Sequence, residues 1–291
     1  MKLARERLNY LDGKTWGRYS ISVWSITKTP KEAKLGHPAM LPLELCERLI
    51  EIYTKVGDVV LDPFMGSGSV LVAAKKLGRK GVGFDVVEEF AELARKRLAE
   101  QGREIRLTTR LTEFLAGNPP SEEISRRLRE VDVEPEVYCE DARALLKYVR
   151  PNSVDLCVTS PPYWMVHRRK RTADYKESRP YSELERDLGN IEDYEAFKGE
   201  LSKVFRNVYE ALKPGKRCVV VVMDLRVGSR FIPFHMDVTS MMQGIGFLLE
   251  DIIIWDRRLE YNNLRPLGYP YVFIVNKVHE YILIFAKGGA S

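Results

Sequence analysis

The chain has 291 residues, of which 45% are apolar, enough to bury the core of one large α/β domain and evidence against a globally disordered chain. Lys and Arg number 46 against 41 Asp and Glu, and the net charge of +5 permits a nucleic-acid partner without requiring one. The four cysteines are scattered without Cys-x-x-Cys or Cys/His spacing, so we expect reduced thiols and no metal site.

Apolar spacing and Gly or Pro breakers predict a largely alternating series of helices and strands from residue 42 onward. Residues 1–36 are predicted to be an irregular, aromatic segment. Helices are predicted over residues 42–54, 69–77, 87–101, 142–149 and 194–212. Strands are predicted over residues 58–61, 81–84, 137–139, 154–158, 217–223, 251–255 and 280–285. No stretch has the apolar length of a signal peptide or a membrane-spanning helix, so a cytoplasmic location without membrane attachment is expected.

Strand–helix units with uninterrupted apolar strands predict an α/β fold with a Rossmann-like, doubly wound, mostly parallel sheet of about seven strands. One domain is expected to span residues 1–291. Residues 103–136 and 165–190 break the alternation and are candidate substrate-recognition insertions. Ligands of such sheets bind beyond the carboxyl ends of the strands, which is where two informative turns of the sequence fall.

The first turn follows an apolar strand, begins at Asp62 and contains Gly66 and Gly68. Glycines allow close backbone approach to a ligand, and the N-terminus of the next helix offers free N–H groups. Asp85 closes the next strand, where a carboxylate can bind ribose hydroxyls, and residues 140–141 close the third, beside an adenine edge. A tight strand-to-helix turn alone would also explain the glycines. Dinucleotide and P-loop glycine spacings are missing, which favours a smaller nucleoside cofactor.

The second turn runs from Thr159 through Ser160-Pro161-Pro162-Tyr163 to Trp164. An exocyclic amine of a base is a weak nucleophile because its lone pair is delocalised into the ring. The Ser160 hydroxyl and the Pro161 carbonyl could accept its two N–H groups and expose that lone pair, and Pro162 would keep the carbonyl aimed. Tyr163 is expected to offer a flat face for stacking an extruded base. Proximity to a bound methyl donor would supply much of the rate.

These segments resemble the amino-methylating DNA methyltransferases. Asp62–Ser69 resembles their S-adenosylmethionine motif, and residues 37–42 resemble an upstream element that borders the methionine end of that cofactor. Residues 251–257 and 279–287 resemble the family's late strands. The resemblance implies a class I methyltransferase fold with S-adenosyl-L-methionine as cofactor. The predicted cofactor-binding residues are His37, Pro38, Ala39, Asp62, Pro63, Phe64, Gly66, Ser67, Gly68, Ser69, Asp85, Glu140, Asp141, Ala142 and Thr159. The predicted catalytic residues are Ser160, Pro161, Pro162 and Tyr163.

In that family a Ser-Pro-Pro-Tyr turn usually marks N4-cytosine methylation, whereas Asp or Asn in place of Ser usually marks N6-adenine methylation. The sequence therefore predicts N4-cytosine transfer, with N6-adenine as the alternative. C5-cytosine transfer needs a nucleophilic thiol, typically after a proline, and none of the four cysteines follows one.

The predicted nucleic-acid contacts follow the catalytic turn: Trp164, His167, Arg168, Arg169, Lys170 and Arg171. A solvated basic loop would look the same in sequence. The short insertions leave little material for reading a duplex, which favours a structured RNA such as ribosomal RNA, mono- or dimethylated, over DNA. Site-specific DNA methylation, small-molecule or protein N-methylation, and a non-enzymatic binding module remain as alternatives.

Overall fold

A computed structural model of the protein describes residues 7–35, 40–101, 133–165, 182–261, 264 and 266–289. The α-helices are α1 Gly13–Tyr19, α2 Pro30–Ala33, α3 Leu43–Tyr53, α4 Ser69–Lys76, α5 Glu88–Glu100, α6 Tyr194–Ala211 and α7 Phe234–Ile245. The strands are β1 Val23–Ser25, β2 Val59–Asp62, β3 Lys80–Phe84, β4 Glu136–Tyr138, β5 Val154–Thr159, β6 Leu212–Val222, β7 Leu225–Val227, β8 Arg230–Ile232, β9 Phe247–Asp256 and β10 His279–Lys287. Short 3-10 helices cover Ala142–Lys147, Leu188–Asn190 and Arg258–Glu260.

The predicted α/β fold is confirmed, with one more strand in the main sheet than expected. The main sheet has eight strands in the order β1-β9-β10-β6-β5-β2-β3-β4. Its strands run parallel except β10, which is antiparallel to both β6 and β9. β7 and β8 form a separate antiparallel hairpin.

The chain direction across the sheet reverses between β2 and β5. From β2 the chain proceeds outward to β3 and β4, and it then returns to place β5 on the other side of β2. Such a switch point leaves a crevice at the carboxyl ends of the two strands. Asp62 ends β2 and Thr159 ends β5, so the two turns singled out in the sequence meet at this crevice.

Both faces of the sheet are covered, which explains why the central strands are continuous apolar runs rather than alternating ones. All six residues of β5 are buried. Side chains from α3, α4 and α5 form the core on one face, and side chains from α6, α7 and the Ala142–Lys147 turn form it on the other.

Several elements depart from their predicted bounds. The segment predicted as irregular contains α1, α2 and the edge strand β1, which pairs with β9. The helix predicted over 142–149 is a 3-10 helix. Among the described residues, no helix combines the length and the apolar character needed to span a bilayer.

Candidate active site

A cleft opens at the switch point and encloses about 930 Å³ when counted to its open mouth. Most of the predicted residues that the structure describes line it: Asp62, Pro63, Phe64, Gly66, Ser67, Ser69, Asp85, Glu140, Asp141, Ala142, Ser160, Pro161, Pro162 and Tyr163. Two distant stretches of sequence, the glycine turn and the Ser-Pro-Pro-Tyr turn, therefore line one cavity.

Asp62 joins the two turns through a buried hydrogen bond. Its Oδ1 accepts from Thr159 Oγ1 at 2.7 Å and from the backbone N–H of Phe64 at 3.1 Å. Burial raises the pKa of the Asp62 carboxyl to about 7, although the hydrogen bond from Thr159 opposes that rise. Thr159 itself is fully buried and does not line the cleft, so its contact with the cavity is made through Asp62.

Asp85 fastens the glycine turn to the end of β3. Its Oδ2 accepts from the backbone N–H of Gly66 at 2.9 Å, and its Oδ1 accepts from the backbone N–H of Val87 at 2.9 Å. Burial raises the pKa of Asp85 to about 6, and the nearby Asp187 carboxylate adds to the rise. Each carboxylate oxygen can accept a second hydrogen bond, so this clamp leaves Asp85 able to bind a ligand hydroxyl.

Gly68 has a packing role rather than a place in the cavity wall. It adopts a left-handed φ of 76°, and a Cβ there would lie 2.8 Å from Ala94 Cβ on α5. The glycine thus lets the start of α4 press against α5. Gly66, by contrast, does line the cleft.

A buried arginine that sequence analysis missed supports the same turn from behind. Arg97 on α5 donates to the backbone oxygen of Ser67 at 2.6 Å and to Ser67 Oγ at 3.1 Å. It also donates to Ser69 Oγ at 3.2 Å. Its position in an ordinary helical charge pattern gave no signal of this contact.

The carboxylate of Asp141 is held by an arginine two residues further on. Arg143 Nε lies 3.0 and 2.9 Å from the two Asp141 oxygens, and the same guanidinium reaches Glu200 at 2.7 Å. Asp141 also caps the 3-10 helix by accepting the Arg143 backbone N–H. The negative charge of Asp141 is therefore balanced by Arg143, and the residue still forms part of the cleft wall.

The Ser-Pro-Pro-Tyr turn is tied to a buried polar network. Ser160 Oγ lies 2.9 Å from the Tyr163 hydroxyl oxygen. That hydroxyl lies 2.8 Å from Glu280 Oε2 and 3.2 Å from the backbone oxygen of Val221. Arg257 pairs with the other oxygen of Glu280 and with Glu260, which keeps the Glu280 carboxylate paired in a buried setting.

The donor directions in this network follow from hydrogen-bonding chemistry. Burial and the Glu280 carboxylate hold the pKa of Tyr163 well above its usual range, so the phenol carries its single proton. A carboxylate and a backbone carbonyl only accept, so that proton points toward Glu280 and Val221. The Tyr163 oxygen must then accept from Ser160, which leaves the lone pairs of the serine oxygen available to accept from another group.

The stacking role expected for Tyr163 does not match its position in this structure. Only 6% of the residue is exposed, and its ring meets Phe234 edge-on with centroids 6.3 Å apart. The Trp164 indole is likewise engaged, since its N–H donates to the Ile191 backbone oxygen at 2.9 Å and its ring meets Tyr194 edge-on. Both rings serve the packing around the turn.

Some predicted residues lie outside the described ranges, and some described cleft residues were not predicted. Residues His37, Pro38, Ala39, His167, Arg168, Arg169, Lys170 and Arg171 lie outside the described part of the chain. The unpredicted cleft residues are Met40, Leu41, Met65, Val70, Val86, Val87, Phe90, Arg186, Asp187 and Leu188. Met40 and Leu41 belong to the upstream element already noted in the sequence, Met65 to the glycine turn, and residues 186–188 to the second candidate insertion; tertiary packing brings in Val70, Val86, Val87 and Phe90.

The residues present fit a nucleoside cofactor that carries a positive centre. The cleft combines carboxylates from Asp62, Asp85 and Asp187 with the apolar side chains of Phe64 and Phe90. The carboxylates suit ribose hydroxyls and a sulfonium or ammonium cation, and the apolar side chains suit an aromatic base. This donor set would be a poor match for a phosphate group.

Comparisons with known proteins agree with this chemistry. A family model described as DNA methylase, covering N6 and N4 methyltransferases, matches residues 2–96 and 154–291. The type II methyltransferase M2.DpnII of Streptococcus pneumoniae is 43% identical over 101 residues, 33% of this chain and 38% of that protein. The type II methyltransferase M.HpaI of Haemophilus parainfluenzae is 45% identical over 62 residues, 21% of this chain and 20% of that protein. The chain thus spans less than half the length of either relative.

Among solved structures, a candidate DNA modification methylase from Thermus thermophilus, complexed with S-adenosyl-L-methionine, is 35% identical. The match covers 52% of this chain and 54% of that one, with a TM-score of 0.37. Because the family model matches residues 2–96 and 154–291, most of its length, this chain belongs to the N6/N4 methyltransferase family of DNA methylases, with S-adenosyl-L-methionine as its cofactor.

Proposed function

We propose that the protein transfers a methyl group from S-adenosyl-L-methionine to the exocyclic N4 amine of cytosine in nucleic acid. The observation that carries the proposal is the orientation of Ser160. Ser160 lines the cleft with its Oγ 2.9 Å from the Tyr163 hydroxyl oxygen, and donation of its proton to that oxygen leaves its lone pairs available as acceptors.

Two acceptors at one turn can prepare an amine for attack. Ser160 Oγ and the Pro161 carbonyl accept the two amine N–H groups, which favours a tetrahedral nitrogen with its lone pair free. Pro162 restricts the backbone before it and keeps the carbonyl aimed. The cofactor would supply the electrophilic methyl group when bound, and the Ser160 and Pro161 acceptors would hold the amine close to it.

The acidic residues of the cleft are each proposed to bind a different part of the cofactor. Asp85 would accept the ribose hydroxyls with the lone pairs that its backbone clamp leaves free. Asp62 would complement the cationic part, and residues 140–142, which line the same cleft, would hold the adenine ring. Arg97 and Thr159 do not touch the ligand in this scheme; they hold Ser67, Ser69 and Asp62 in place.

The choice of nucleic acid is revised from the sequence expectation. The expected preference for RNA finds no support in the comparisons, whereas the matching family is described as DNA methylase and the relatives are type II methyltransferases. We therefore place DNA first and RNA second. N6-adenine remains the second candidate base, since the matching family covers both N6 and N4 enzymes.

We further propose that residues 1–291 form one methyltransferase domain with substrate-recognition insertions at 103–136 and 165–190. The described end of the second insertion supports this, because Arg186, Asp187 and Leu188 line the cleft. Trp164 and residues 167–171 remain the proposed nucleic-acid contacts of this insertion and its start.

The experiment is transfer of labelled methyl from S-adenosyl-L-methionine to matched unmodified DNA and ribosomal RNA, followed by digestion to nucleosides. Label in N4-methyldeoxycytidine is the expected result, and label in N6-methyldeoxyadenosine would replace cytosine by adenine. Label only in ribonucleosides would restore the RNA assignment. Loss of transfer in Ser160→Ala with intact cofactor binding ties the activity to this site, whereas no transfer by the wild type to any nucleic acid contradicts the proposal.

A further inference from the structure

Aromatic side chains are unusually exposed on two neighbouring elements, the β7–β8 hairpin and the connection formed by residues 266–278. Tyr269 is 78% exposed, Tyr271 is 91% exposed and Phe273 is 94% exposed. Phe231 on the hairpin is 46% exposed. We call these two elements together the aromatic surface. Contiguous exposed apolar groups of this kind mark an interaction site more often than chance.

The aromatic surface lies at the cleft edge of the sheet. β6 and β9 run parallel to β5, so their carboxyl ends, where the hairpin and the connection begin, lie on the side where the cleft opens. At the base of the connection, Arg257 pairs with Glu280, whose other oxygen binds the Tyr163 hydroxyl. Phe234, two residues beyond the hairpin, packs against the Tyr163 ring. Both elements are therefore rooted beside the catalytic turn.

The hairpin is a built element rather than a loose loop. Leu225 and Ile232 pair across it and are only 1% and 2% exposed, so they anchor it in the core. The adjacent Phe231 points the other way, as alternation along a strand requires. Its exposure therefore follows from the strand register and does not depend on local unfolding.

The charge of the aromatic surface has one sign. The sequence contains no Asp or Glu over residues 225–235 or 261–278. Two cations flank the exposed ring of Phe231, with the Arg226 guanidinium carbon 5.5 Å and Lys277 Nζ 5.6 Å from its centroid. Arg230 is exposed on the same strand as Phe231. Exposed cations beside aromatic rings complement a chain of phosphates with unstacked bases, and Asp224, whose carboxylate acts on Lys277, is buried.

We propose that the aromatic surface holds the unpaired stretch of nucleic acid next to the target base. Arg226, Arg230 and Lys277 contact phosphates, while Tyr271 and Phe273 stack on bases exposed when the target leaves the helix. The inference rests on the proposed function for the identity of the target. It gives the strand a docking site in a part of the chain that the predicted insertions do not include.

The test is direct binding of a short fluorescein-labelled DNA strand of mixed sequence, and of its duplex, to the full chain. Tyr271→Ala with Phe273→Ala is expected to weaken single-strand binding at least tenfold, because base–aromatic stacking contributes about 1–3 kcal/mol per base. Arg226→Ala with Arg230→Ala is expected to weaken binding and to reduce the slope of log K against log salt by about 1–2. Cofactor affinity, measured by calorimetry, reports whether each variant is folded.

The matched controls remove an apolar side chain and a cationic side chain outside the aromatic surface. Leu248→Ala removes a 60% exposed apolar side chain at the amino end of β9, and Arg206→Ala removes an exposed cation on α6. Both are expected to bind the strand as the wild type does. Unchanged strand binding in the aromatic and arginine variants overturns the proposal, and so does a variant whose only defect is loss of a dimer in sedimentation. Binding is read without turnover, so strand binding by a wild type that transfers no methyl group would contradict the proposed function and leave the docking surface standing.

Discussion

Ser160 Oγ lies 2.9 Å from the hydroxyl oxygen of Tyr163, and the direction of that hydrogen bond is set 2.8 Å further on, at Glu280. Because Glu280 can only accept, Tyr163 donates to it and Ser160 must donate to Tyr163. A tyrosine at this turn thus has a function in its hydroxyl as well as its ring. The proposed acceptor role of Ser160 depends on a residue that does not itself have to touch the base.

Tyr163→Phe should lower kcat for methyl transfer about fivefold without changing cofactor affinity, since the hydrogen bond that orients Ser160, about 1 kcal/mol, is lost. Without the Tyr163 oxygen, the Ser160 proton is free to turn into the cleft and oppose the amine N–H. Steady-state kinetics with S-adenosyl-L-methionine and DNA measure the effect. In a Ser160→Ala background, Tyr163→Phe should have no further effect, so the double variant should be no slower than Ser160→Ala alone. Additive losses of kcat would contradict the coupling between the two residues. Tyr209→Phe, which alters a tyrosine packed against Phe247, is the matched control.

Glu280→Leu should destabilise the protein by about 3 kcal/mol, because it removes the buried one of the two carboxylates that pair with Arg257. Urea unfolding monitored by fluorescence gives the free energy of unfolding. Glu250→Leu removes the partner of Arg217 in a more exposed pair and should cost less than about 1 kcal/mol. Equal losses in the free energy of unfolding would show that the buried ion pair stabilises the protein no more than the exposed one.

The central part of the fold could be predicted from sequence because its signals are local. β2, β3 and β5 are short apolar runs bounded by glycine, proline or acidic residues, and each was placed within one or two residues. β1 could not be predicted in this way, since three residues carry no usable periodicity and the strand exists through its pairing with β9. The β7–β8 hairpin is similarly short and is fixed by the burial of Leu225 and Ile232.

The candidate site likewise contains some residues that the sequence could predict and some that it could not. Asp62, Asp85 and Ser160 stand at strand ends, so topology alone predicts that they meet at one edge of the sheet. Glu280 reaches Tyr163 across 117 positions of sequence, and no local spacing encodes that contact. The buried position of the Tyr163 ring could not be predicted for the same reason, because the packing of α7 brings Phe234 against it.

Folding stability should fall as the pH rises through the range from about 4 to about 7. Burial raises the pKa of Asp62 to about 7 and that of Asp85 to about 6, whereas carboxyls of an unfolded chain titrate near pH 4. The folded, ligand-free protein therefore holds protons that the unfolded chain releases, and this contribution to stability is lost as the two groups ionise. Thermal unfolding across that range measures it. Asp62→Asn should flatten the profile, and an unchanged profile in that variant would remove Asp62 as its cause.

Cofactor affinity should change with pH in the opposite sense. The sulfonium of S-adenosyl-L-methionine is permanently positive and favours ionised Asp62 and Asp85, so binding should strengthen from about pH 5.5 to about pH 8 and release protons. Calorimetry in buffers of different ionisation enthalpy counts those protons. The demethylated product, S-adenosylhomocysteine, lacks the sulfonium charge and should show a shallower dependence. The same dependence for both ligands would place the charge effect outside the sulfonium contact.

Gly68→Ala should destabilise the protein by about 2 kcal/mol, because two penalties coincide at one atom. The residue has a φ of 76°, which costs an alanine about 1 kcal/mol, and its Cβ would lie 2.8 Å from Ala94 Cβ between two packed helices. Gly199→Ala is the matched control: Gly199 is exposed within α6, has open space at its Cβ position and should gain about 0.5–1 kcal/mol. Thermal unfolding of the two variants should therefore shift in opposite directions. A melting temperature of Gly68→Ala that is raised, as expected for Gly199→Ala, would contradict the packing role of Gly68 between α4 and α5.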